Sequence, residues 1–108
     1  MDEYKMVLES QLGPREGTLR LEEHNGEVKG TISLLGYENG VLGERTGENT
    51  LRLSHHLKTI VSDLSCVSLL DTEGNKIFGI LQNNRNTMQW YGEKMTGKKD
   101  GNEDNDGE

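Results

Sequence analysis

Apolar and polar positions alternate with a period of two along most of this chain. Tyr4, Met6 and Leu8 alternate with Lys5, Val7 and Glu9, and Leu19 and Leu21 with Arg20 and Glu22. Val28, Ile32 and Leu34 alternate with Lys29, Thr31 and Ser33. The same period returns at Leu51, Leu53, His55 and Leu57, at Ile77, Gly79 and Leu81, and at Met88 and Trp90. Successive side chains of a strand point to opposite faces, so the pattern describes strands with one apolar face. It predicts strands over 4–11, 17–24, 27–34, 41–45, 50–57, 60–70, 76–82 and 87–93. Segment 60–70 carries apolar residues on both faces, which predicts a bend, a bulge or burial on both sides.

Turn-forming residues stand between these runs. His24-Asn25-Gly26 is the strongest hairpin signal, because Asn-Gly accepts the positive φ angles of a type I′ turn. Gly13–Gly17, Tyr37–Gly40, Thr46–Asn49, Thr72–Asn75 and Asn83–Asn86 supply the other breaks. Connections this short leave no room for crossover helices, so consecutive strands are expected to pair antiparallel. A meander of about eight strands hides its edges by closing, and the expected fold is an all-β, closed or nearly closed small barrel of the lipocalin or streptavidin type. Gly30, Gly43 and Gly79 fall within strands, where glycine marks a bulge, a tight bend or close backbone approach.

Composition supports this reading. The 108 residues include 14 glycines, one proline and no alanine, which disfavours a helical bundle. One domain is expected over 1–94, followed by a disordered acidic tail over 95–108 that lacks the alternation. Within that tail, the run from Asn102 to Gly107 looks like the start of a calcium loop. The glutamate that would complete such a loop is missing, so it reads as a solvated acidic segment.

The formal net charge is −7, of which residues 97–108 carry −3 and the remainder −4. An acidic body without a basic stripe is a poor match for nucleic acid or for an anionic membrane surface. A single cysteine excludes an intrachain disulfide. The first residues show no basic region followed by an apolar one, and no apolar run approaches the ~20 residues of a membrane span. A cytoplasmic location is the expectation.

Gly17-Thr-Leu-Arg-Leu, Gly26-Glu-Val-Lys-Gly-Thr-Ile, Asn49-Thr-Leu-Arg-Leu, Asn75-Lys-Ile-Phe-Gly-Ile-Leu and Met88-Gln-Trp-Tyr-Gly-Glu together resemble the small bacterial lipocalin-like (calycin) barrels. In these proteins a Gly-x-Val/Ile-x-Gly-x-Ile/Leu strand recurs, and the last strand often ends in an aromatic followed by x-Gly. The resemblance covers about residues 15–93. It implies the barrel and at most a cavity, and it carries over no catalytic residue.

His55 shares its strand face with Leu51, Leu53 and Leu57 and is expected to point inward, whereas His56 should be solvated. The two imidazoles therefore cannot easily share a metal. An inward histidine is either a polar handle for a ligand or base, or a core side chain satisfied by a neighbouring carbonyl or hydroxyl. Cys66, His55 and Asp63 could be written as a nucleophilic set, but no nucleophile elbow or helix N-terminus accompanies them. Cys66 reads as a small core residue. Tyr37 and Tyr91 would suit a partner surface if exposed together; otherwise they are scattered surface tyrosines.

Three roles follow. The first is a non-enzymatic binding module holding a small apolar or aromatic ligand at His55, Trp90, Tyr4 and Met88. The second is an accessory or interaction protein with a filled core, working through its outer face or a homodimer interface. The third is a cofactor-free enzyme with His55 as general base. The inward positions are mostly Leu, Ile and Val, which favours a filled core. No cofactor or metal is expected.

Overall fold

A computed structural model describes residues 2–95; the expected acidic tail beyond Met95, with its calcium-loop-like run, lies outside them. Eight antiparallel strands form a closed meander barrel. They are β1 (Asp2–Ser10), β2 (Gly13–His24), β3 (Glu27–Leu34), β4 (Tyr37–Gly47), β5 (Thr50–Lys58), β6 (Asp63–Glu73), β7 (Lys76–Gln82) and β8 (Thr87–Lys94). Closure is made by β1 and β8, which pair from Tyr4↔Lys94 to Leu8↔Trp90. The backbone NH of Met95 donates to the Glu3 carbonyl (2.7 Å) and extends that seam.

The period-two pattern sorts the side chains as expected. Eighteen buried apolar residues form one cluster inside the barrel, among them Met6, Leu19, Ile32, Leu53, Leu70 and Trp90. Glycines at inward positions let the strands coil this tightly. A Cβ on Gly30 would overlap the Arg20 carbonyl oxygen across the β2–β3 seam, and one on Gly79 would overlap that of Leu69 across β6–β7. Close backbone approach is therefore their role, as it is for Gly43 against Arg52.

Several boundaries differ from the sequence expectation. The β1–β2 turn is Gln11-Leu12, and β2 begins at Gly13 within the stretch expected to break the chain. Pro14 is tolerated there because it sits at a strand start. The β3–β4 turn is Leu35-Gly36, with φ of 57° and 84°, so Tyr37–Gly40 belongs to β4. Asn25 and Gly26, with φ of 55° and 84°, form the positive-φ turn expected of them. Segment 60–70 contains no bulge. Residues 60–62 lie in the β5–β6 connection, and β6 then alternates regularly, with Cys66, Ser68 and Leu70 inside and Val67 and Leu69 outside. The register shift falls instead in β4, between Arg45 and Gly47.

A bidentate ion pair links β2 and β4 at the end of the barrel near the His24–Glu27 turn. Arg45 Nε and Nη2 each donate to a Glu23 carboxylate oxygen at 2.7 Å, and Nη1 donates to the Glu48 carbonyl at 3.0 Å. The guanidinium holds the Glu23 carboxyl below its ordinary range. Among the described residues no helix is long and apolar enough to cross a membrane.

Candidate functional site

His55 is buried, at 4% exposure, and points into the barrel from β5. It pairs across the seam with Cys66 on β6, and the next inward residue of β6 is Ser68. His55 Nε2 lies 2.7 Å from Ser68 Oγ, and Nδ1 lies 3.4 Å from the His56 carbonyl. A carbonyl only accepts, so Nδ1 carries the proton and Nε2 accepts from the Ser68 hydroxyl. This is a neutral imidazole with both nitrogens engaged. Burial pushes its pKa down from the ordinary histidine value. His56 points outward from the same strand, with Nδ1 2.8 Å from Asp63 Oδ1.

The Ser68–His55 contact has the reach of a nucleophile–base pair, but Ser68 is 0% exposed. The thiol of Cys66 is also buried, and burial pushes its pKa up. An elevated thiol beside a depressed imidazole is the reverse of a reactive thiolate–imidazolium pair. Asp63 faces outward and pairs with His56, so it does not join them. Among the described residues no group of three His, Cys, Asp or Glu side chains is placed to hold a metal ion.

Trp90, Met88 and Tyr4 also point into the barrel and are buried. Met88 and Ser68 both oppose Leu81, which places Met88 on the same half of the interior as His55. Trp90 lies between Leu8 and Gly79, its partners across the two seams of β8. Its Nε1 is buried without a protein partner, as is Asn86 Oδ1. Tyr4 opposes Leu19 and Lys94, about 13 Å along β1 from the Trp90 level at ~3.3 Å per residue. The four residues thus share one interior but stand at different levels of it.

The open groove is elsewhere. It has a volume of about 910 Å³ and runs along β2, β3 and β4 near the His24–Glu27 hairpin. Its lining joins the exposed Leu42 to the core residues Leu21 and Val28, and Glu22, Glu27 and Glu44 supply carboxylates. None of His55, Trp90, Tyr4 or Met88 lines it.

On the opposite wall, apolar residues face outward. Tyr91 on β8 opposes Val7 on β1 and Phe78 on β7; one step along, Ile80 on β7 opposes Leu69 on β6. Leu69 and Phe78 are 40% exposed and Tyr91 39%. The Tyr91 hydroxyl donates to Glu9, which raises the phenol pKa. Tyr37 opposes Leu34 on the other side of the barrel, so the two tyrosines do not share a face.

The direction of the His55 shift gives a pH prediction. The unfolded chain protonates this histidine near 6.5, whereas the folded chain keeps it neutral to lower pH. Below about 6.5 the unfolded state binds more protons, so stability falls with falling pH until His55 protonates in the fold. Denaturant midpoints are expected to drop between about pH 7 and pH 5. His55→Gln should flatten that drop, and an identical slope in the variant would refute the assignment.

Sequence reasoning placed His55 inward but did not identify Ser68 as its partner. The signal was present, since Ser68 falls on the inward register of Cys66 and Leu70. Comparison of the chain with protein-family models, with curated proteins and with solved structures finds no match.

Proposed function

We propose that this chain is a non-enzymatic interaction module whose barrel is a filled scaffold and whose working surface is its outer wall. The observation that carries this reading is the apolar band over β1, β8, β7 and β6. Its largest side chains stay about two-fifths exposed, although the interior already holds eighteen buried apolar residues. Isolated exposed apolar residues need no explanation, but a contiguous band of them is a mark of interaction surfaces. The buried state of Ser68, Cys66 and His55 supports a structural role for that cluster.

A second reading, a module binding a small apolar or aromatic ligand at His55, Trp90, Tyr4 and Met88, is favoured by one observation. The Trp90 indole N–H is a buried donor without a partner, and such a group is costly unless something accepts from it.

One pair of measurements separates the two. A photo-crosslinking side chain at position 78 is expected to yield polypeptide adducts, and one at position 31 on the far wall is not. Native mass spectrometry of the freshly purified chain is expected to show the polypeptide mass alone. Equal crosslinking at both walls, or a stoichiometric organic molecule lost on Trp90→Phe, would transfer the conclusion to the ligand-binding reading.

A further inference from the structure

We propose that the β1–β8–β7–β6 wall is where two copies of this chain pair face to face. This rests on the reading that the chain works through its outer wall, and it names the partner as the chain itself. The argument comes from the register. Beside the apolar band runs a row of charged residues, one from each of the same four strands: Lys5, Glu93, Lys76 and Glu73. Each opposes the next across a seam, Lys5↔Glu93, Lys76↔Glu93 and Glu73↔Lys76.

The signs alternate, so the row is its own complement under a two-fold axis. An axis running along the strands between β7 and β8 sets Lys5 of each copy over Glu73 of the other, and Glu93 over Lys76. The same axis sets Phe78 over Tyr91. A row with like charges at those places would repel itself, whereas this one meets an opposite charge at all four positions. An isologous contact requires this self-complementarity.

The size of the face sets the expected strength. Four strands at ~4.8 Å and about seven residues at ~3.3 Å give a footprint of about 440 Å² per copy. That belongs with small, transient interfaces, so a dimer with a micromolar dissociation constant is expected. Sheets packed in this way lie about 10 Å apart with strands within about 30° of one another.

Sedimentation equilibrium of the full chain from about 1 µM to about 1 mM tests this. A monomer–dimer equilibrium is expected. Phe78→Glu should raise the dissociation constant at least about thirtyfold while leaving the thermal transition in place; Leu69→Lys serves the same purpose if that variant does not fold. Thr31→Glu, on the far wall, should change nothing. The axis is tested by mixing Phe78→Cys with Tyr91→Cys chains: disulfides between 78 and 91 should form in preference to those between two copies of 78.

A chain that stays monomeric throughout, a dimer insensitive to both band substitutions, or a preference for the 78–78 disulfide would overturn the pairing. If the monomeric chain still gives position-78 adducts to a different polypeptide, only self-pairing fails. If it gives none, the reading of the wall as a working surface fails with it.

Discussion

Gly30→Ala is expected to destabilise this barrel by at least about 3 kcal/mol, far more than one added methyl group ordinarily does. The new Cβ would overlap the Arg20 carbonyl oxygen and lie 2.7 Å from its carbon and 3.0 Å from the Leu21 Cα. All three are backbone atoms, so no side chain can rotate away. The β2–β3 seam would have to spread, and in a closed barrel a spread seam disturbs every strand that follows. Gly40→Ala is the matched control. That position is a strand glycine where an added Cβ would meet nothing within 4 Å, and the substitution should stay within about 0.5 kcal/mol of the parent or slightly stabilise it. Urea unfolding of both variants checks the pair. Equal midpoints for the two would show that close seam packing at Gly30 does not hold the barrel together.

Trp90→Ala is expected to cost about 3–5 kcal/mol by leaving a cavity in the core. The side chain is 1% exposed and lies between Leu8 and Gly79, where no neighbouring side chain on the glycine can fill the space. A domain this size has roughly 5–15 kcal/mol of stability in total, so the thermal midpoint should fall by on the order of 20 °C. Trp90→Phe separates volume from polarity. It removes the buried Nε1 that has no partner, and relief of that group offsets much of the lost packing, so a change within about 1 kcal/mol is expected. A loss in Trp90→Phe as large as in Trp90→Ala, measured by circular dichroism melting, would show that the indole N–H is engaged in the folded state.

These two predictions and the proposed surface share one physical basis. Glycine at inward positions lets the eight strands coil closely around the buried core. His55 lies within that core, where the Ser68 hydroxyl engages its Nε2. The apolar band faces outward, and the groove opens across the barrel near the His24–Glu27 hairpin, which is why recognition is assigned to the surface.

The amino-acid sequence by itself determined the fold class, the strand count, the meander order and the direction of most side chains. Each of these depends on a local rule: alternation at period two assigns a face, and short connections force antiparallel neighbours. The Asn25-Gly26 turn was legible because both residues adopt positive φ readily. Gln11-Leu12 and Leu35-Gly36 were not, because tertiary pairing of the flanking strands imposes those turns on residues with little turn preference of their own. Segment 60–70 shows the same limit. Its apolar residues outside the barrel looked like a second buried face, and only the register with β7 revealed Leu69 beside Ile80 on an exposed wall. The inward direction of His55 was local information, but its partner was not. Which side chain meets Nε2 depends on the β5–β6 alignment, and closure by β1 and β8 brings Tyr91 and Val7 together from opposite ends of the described chain. Contacts between residues distant in sequence are set by register and curvature, and these exist only once the barrel has closed.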